Sequence, residues 1–201
     1  MALDASWVTA FVAVFGIGST LTLSILDRRA SAARERRQLE REEAKEKSDH
    51  RRAQRALERE SVMRLSEVFL TTRQFADQDP DEFSDAFDWD ENFPESWRPK
   101  YYAIMRDSEI VSDEAFRDIF QDCAQAIYWC GGLTQIAGAG SGQRIARDNA
   151  SLGFVVAGSW LREEAIGEDS AKRVKQVHTL LSDYDEMWKA RQLKSHGEEP
   201  D

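Results

Sequence analysis

The side chains best suited to chemistry in this sequence are carboxylates. Asp77, Asp79, Asp81, Asp85 and Asp88 fall at positions 1, 3, 5, 9 and 12 of a calcium-type loop, where their oxygens would converge on a hard cation. The window departs from that pattern where it matters most. Position 6 should turn on glycine and is Glu82, position 12 should be a bidentate glutamate and is Asp88, and Pro80 lies inside. Asp77, Asp79, Asp81 and Asp88 are therefore carried only as metal candidates, and no cofactor is expected. A second stretch, Gly138 to Arg144 (GAGSGQR), looks at first like a phosphate loop. It has no lysine, Gln143 and Arg144 stand where the lysine and hydroxyl that hold phosphate and Mg²⁺ are needed, and helical patterns flank it on both sides, so it reads as a helix–helix connection.

Nucleophiles and bases are sparse. His50, His178 and His196 are too dispersed for a triad or a zinc site. Glu163, Glu164 and His178 are the residues an enzyme built on this chain would draw upon, and no GxSxG, HExxH or CxxC motif supports that role. An enzyme is thus the less favoured class. Cys123 and Cys130, seven residues apart, would stand roughly 10 Å apart along a helix at ~1.5 Å per residue. That exceeds the reach of a disulfide, so both read as reduced core thiols. Asn149-Ala150-Ser151 matches a glycosylation sequon within a helical pattern.

A third chemical character lies between residues 78 and 100. Phe83, Phe87, Trp89, Phe93, Trp97, Tyr101 and Tyr102 interleave with acidic residues. The favoured reading is that these rings fold back and cover one side of their own core, since seven large aromatics left in water would form too large an exposed patch. The alternative is that the segment docks into a basic, apolar groove of a partner, with Phe87, Trp89, Phe93 and Trp97 as its surface.

The elements that would position these groups follow from charge and periodicity. Trp7 to Leu26 is a run of 20 residues without a charge, long enough at ~1.5 Å per residue for a ~30 Å hydrocarbon layer. Arg28, Arg29, Arg34, Arg36 and Arg37 follow it, and no basic residue precedes it. The expectation is a single-pass membrane anchor with residues 1 to 6 outside, the remainder cytoplasmic, and those five arginines on anionic headgroups. Gly16, Thr20 and Ser24 share one face and would allow a homodimer through close helix approach.

Residues 27 to 60 form a charged stalk without glycine or proline, with pairs such as Arg36–Glu40 and Glu43–Lys47 four apart. Apolar seam positions are too few there for a sustained coiled coil, so a long solvated helix is expected. From Ser61, Val62, Leu65, Val68, Phe69 and Thr72 make an apolar stripe. Three further helical patterns follow, opening at Ser112, spanning Ser141 to Ala165, and spanning Asp169 to Gln192. Lys194 to Asp201 reads as a disordered tail. The fold class expected is all-α: a membrane helix, a stalk, and a bundle of about four helices over residues 61 to 193.

Between residues 65 and 201 there are 14 basic and 27 acidic side chains, a balance that repels a phosphate backbone and excludes nucleic-acid binding by the bundle. The function expected is a membrane-tethered interaction or scaffold module. The lipid bilayer and an unidentified cytoplasmic or membrane protein are its partners. A structural subunit assembling through its membrane helix and an enzyme are the alternatives.

Overall fold

The computed structural model describes residues 5–78, 92–136, 138 and 140–195, with side chains described for residues 31, 34–78, 95–136, 138 and 140–193. Six helices are present among them: α1 (Ala5–Ala76), α2 (Asn92–Ser108), α3 (Glu114–Tyr128), α4 (Cys130–Leu133), α5 (Gly142–Leu161) and α6 (Glu168–Ser195). No strand occurs among the described residues. The chain divides into two compact units, Met1–Gln54 and Arg55–Asp201.

The first unit corrects the expected architecture. Among the described residues no helix is long and apolar enough to cross a membrane. The structure makes one helix of 72 residues, Ala5 to Ala76, that holds both the uncharged run and the charged stretch. All of its described side chains from Arg34 to Gln54 are exposed, and most are charged. The side chains of Trp7 to Leu26, with those of Gly16, Thr20, Ser24, Arg28 and Arg29, lie outside the described residues. The single-pass topology, the outside N-terminus, the cytoplasmic assignment and the bilayer as partner are accordingly withdrawn. Arg34, Arg36 and Arg37 are exposed on α1, and among the described residues no membrane-spanning helix sets them against headgroups.

The second unit is a helical bundle with α3 as its spine. Asp113 caps α3, its carboxylate accepting from the backbone N–H of Ala115 at 3.1 Å and of Phe116 at 3.3 Å. Ile119, Phe120, Cys123, Ala124 and Ile127 then recur at helical spacing and are all buried. Val62, Leu65 and Phe69 of α1 join them, and the rings of Phe69 and Phe120 lie 6.2 Å apart. Each fully buried side chain of that size contributes about 1.5–3 kcal/mol. Gly153 of α5 faces Phe69: a Cβ there would stand 2.7 Å from the ring, so glycine is what lets α1 and α5 close on each other.

Helix α2 is an addition to the expected set of about four. Pro99 lies inside it and argues against a helix in the sequence. Pro99 is exposed, so the carbonyl one turn before it, which loses its N–H partner, can turn to water. Burial of Trp97 and Ile104 holds α2 in place. The Trp97 indole N–H donates to the Thr72 hydroxyl at 3.0 Å, which itself donates to the Val68 carbonyl at 2.7 Å. Arg64 adds a second tie, its Nε donating to the buried Asp107 carboxylate at 3.0 Å.

Helix α5 stops four residues short of the expected Ala165. The Glu164 N–H returns to the Ser159 carbonyl and the Glu163 N–H to that of Trp160, closing a Schellman cap with Glu163 at φ 57° where glycine is usual.

Candidate functional site

Seven aromatic rings run without a break across the second unit. The run starts inside: Trp97 is 2 % exposed, and its ring lies 6.4 Å from that of Tyr101 one turn later on α2. Tyr101 stacks on Tyr128 at 4.8 Å and meets Tyr102 edge-on at 5.5 Å. Tyr128 meets Trp129 edge-on at 5.0 Å, Trp129 lies 6.1 Å from Tyr184, and Tyr184 meets Trp188 edge-on at 6.3 Å. Offset and edge-on contacts of this kind are the favoured ones, each worth about 0.5–1.5 kcal/mol beyond burial.

Local structure explains why these residues meet. Tyr184 and Trp188 stand four apart on α6, as Trp97 and Tyr101 do on α2. Trp129 sits where α3 gives way to α4, its N–H still donating to the Gln125 carbonyl at 2.9 Å while its ring turns outward. Gly132 leaves room for Tyr184, since a Cβ there would lie 2.8 Å from the phenol Cζ. The inner rings form a buried or half-buried floor. The outer ones reach solvent: Tyr102 is 63 % exposed, Trp129 43 % and Trp188 43 %.

Polar groups frame the rings. The Arg98 guanidinium is held above its ordinary range, first by hydrogen bonding to the Tyr128 hydroxyl and then by the charge of Glu95, 2.6 Å away. Burial pushes the Tyr101 phenol up, opposed by a hydrogen bond with Gln125. Asp185 and Lys189 pair beside Tyr184 and Trp188. Phenol hydroxyls, an indole N–H and ring faces can bind and orient a ligand. They offer no activated nucleophile.

The residues singled out in the sequence are distributed as follows. Phe87 and Trp89 lie outside the described residues, as does the side chain of Phe93. Trp97 is a core residue, too deeply buried to present a surface, so it anchors the ring run from below. Asp77 is exposed and pairs with Arg73 at 3.4 Å, while Asp79, Asp81, Asp85 and Asp88 lie outside the described residues. Among the described residues no group of three or more His, Cys, Asp or Glu side chains could hold a metal ion. Glu163 and Glu164 are exposed on the rim of a 680 Å³ cleft with Arg55, Glu58 and Trp160. His178 lies elsewhere, its Nδ1 3.3 Å from Asp122 in a cleft between α3 and α6. These three residues are not brought together. Cys123 and Cys130 are both buried, and neither forms a disulfide.

In the sequence Tyr128, Tyr184 and Trp188 read as members of the apolar stripes of their helices, and Trp129 stands in no stripe. The available signal was the Tyr128-Trp129 pair directly before Cys130-Gly131-Gly132, an aromatic step at a helix break. Comparison with protein-family models, curated proteins and solved structures gives no match, so no activity comes to this chain by likeness.

Proposed function

We propose that the unit Arg55–Asp201 is a recognition domain that holds an extended, proline-containing, basic segment of another protein across its aromatic face. One observation carries this: a continuous ring run with a buried inner end and three rings, Tyr102, Trp129 and Trp188, open to solvent. Rings anchored from below are already ordered, so binding costs little side-chain entropy. A polyproline-type segment has no internal hydrogen bonds, and its carbonyls accept from tyrosine hydroxyls and indole N–H groups while its proline rings lie on aromatic faces. The 14 basic and 27 acidic side chains between residues 65 and 201 favour a basic segment and steer its approach. This reading rests on the bundle alone and calls on no membrane.

The test is a tryptophan-fluorescence titration of the full chain with a synthetic arginine-proline-proline repeat of four units. A glutamate-proline-proline repeat and cellohexaose serve as comparison ligands. The basic repeat should bind saturably, and Trp129→Ala and Trp188→Ala should each weaken it about tenfold or more, as centrally placed aromatic anchors do. Val155→Ala, at an exposed apolar residue outside the ring run, should leave affinity unchanged. No saturable binding, equal binding by the acidic repeat, or a preference for the oligosaccharide would overturn the proposal.

A further inference from the structure

A second site follows from the one buried polar atom that the fold leaves unsatisfied. Among the described residues, Asn149 Oδ1 is the buried side-chain oxygen or nitrogen with no hydrogen-bond partner. Its residue is 5 % exposed, and its amide orientation is fixed because Nδ2 donates to the Ile145 carbonyl at 2.8 Å. An acceptor buried without a donor costs about 1–3 kcal/mol, and native structures seldom leave one without a reason.

Asn149 lines a 610 Å³ cleft between α5 and α6. The other polar walls of that cleft are cationic as well as acidic: Arg144, Arg173 and Lys175 face it alongside Asp148 and Asp183. Ser141 caps α5, its hydroxyl accepting from the Arg144 N–H at 3.3 Å, and this helix terminus, whose first turn holds Arg144, carries partial positive charge. Arg173 is fixed in place by one N–H, which donates to the Asp148 carbonyl at 2.5 Å. A guanidinium has five donors, so others remain for a ligand.

We infer that this cleft is a binding site for a small organic oxyanion that also carries a hydroxyl or amide donor. The oxyanion sits against Arg144 and Arg173, and the donor satisfies Asn149 Oδ1. Arg144 and Asn149 are five residues apart on α5, about 7.5 Å along the axis, which suits a ligand the length of a sugar phosphate. The oxygen itself exposes less than 1 Å², so binding requires the cleft wall at Asn149 to open as the ligand enters. The site is separate from the aromatic face and does not depend on it.

Calorimetric titration of the full chain with ribose 5-phosphate and with inorganic phosphate tests this. Ribose 5-phosphate should bind at least tenfold more tightly than phosphate. Arg173→Gln should weaken both, and Asn149→Leu should abolish the difference between them while leaving phosphate binding in place. Should Asn149→Leu fail to fold, the side-chain amide resonances of Asn149 in the wild-type chain provide the second measurement, and they should move on adding ribose 5-phosphate. Failure of both probes to bind at millimolar concentration, an unchanged preference in Asn149→Leu, or still amide resonances would overturn the inference. Trp129→Ala should bind both probes as the wild type does, which keeps this test independent of the peptide titration.

Discussion

Gly153 and Gly158 lie on the same helix, and the same substitution at each should act with opposite sign. Alanine in place of a helical glycine gains about 1 kcal/mol from backbone entropy alone. At Gly158 the new methyl would meet only the far end of Arg162, a flexible, exposed side chain 3.1 Å away that can swing aside. At Gly153 it would stand 2.7 Å from Cδ1, Cε1 and Cζ of Phe69, against an ordinary carbon–carbon contact of ~3.5–4.0 Å. Phe69 is fully buried with Phe120 beside it, so a retreat of about 1 Å must be shared with the core. Overpacking of this kind costs ~1–3 kcal/mol, leaving a net loss of up to about 2 kcal/mol for Gly153→Ala, against a gain of ~0.5–1 kcal/mol for Gly158→Ala. Urea unfolding followed by tryptophan fluorescence should then separate the two midpoints by about 1 M, given slopes of ~1–3 kcal/mol/M. Phe69→Leu should cost less in the Gly153→Ala background than alone, because it makes room for the methyl. Coincident midpoints, or Gly153→Ala the more stable, would show that α1 does not seat on α5 through this ring.

Three further outcomes follow from local geometry. Glu163→Gly should raise stability by about 1 kcal/mol, since Glu163 holds φ 57° at the position of the α5 cap where glycine carries no Cβ penalty; equal urea midpoints would argue against that cap. Burial holds the Asp122 carboxyl above the usual aspartate range, with the His178 hydrogen bond opposing. The folded state therefore binds the proton more tightly than the unfolded one, and stability from this group is lost as pH rises from ~3.9 through the raised value. Asp122→Asn should accordingly gain on the wild type across that interval and hold its gain above it, and a pH-independent difference in unfolding free energy would contradict the assignment. Burial also pushes the Cys123 thiol up, so a thiol reagent should leave both cysteines unmodified in the native chain and label two in denaturant. Labelling at the native rate of a free thiol would place Cys123 at the surface.

The sequence by itself determined the all-helical class and much of the core. The Val62, Leu65, Phe69 and Thr72 stripe and the inward face of α3 are readable because helical burial repeats every three to four residues, and the structure buries both. The cap at Ser141 follows from equally local chemistry, whereas α3 is capped by Asp113, one residue past the expected Ser112. Uncharged length was a poorer guide: Trp7 to Leu26 meets the requirement for a membrane span on composition, yet among the described residues no helix is long and apolar enough to cross a bilayer. Tertiary structure alone decided the rest. Helix α2 exists despite Pro99 because Trp97 finds Thr72 on α1, a partner 25 residues away that no local pattern announces. Gln143, read as part of a plain connection, reaches back to the carbonyls of Ala76 and Gln78 and closes the end of α1. The aromatic face needs three helices to bring Tyr102, Trp129 and Trp188 onto one run, and each of those residues reads singly as core or surface. Periodicity records which side of a helix is turned inward. Which neighbour it meets there depends on the packing of the other helices, and that information is spread over the whole chain.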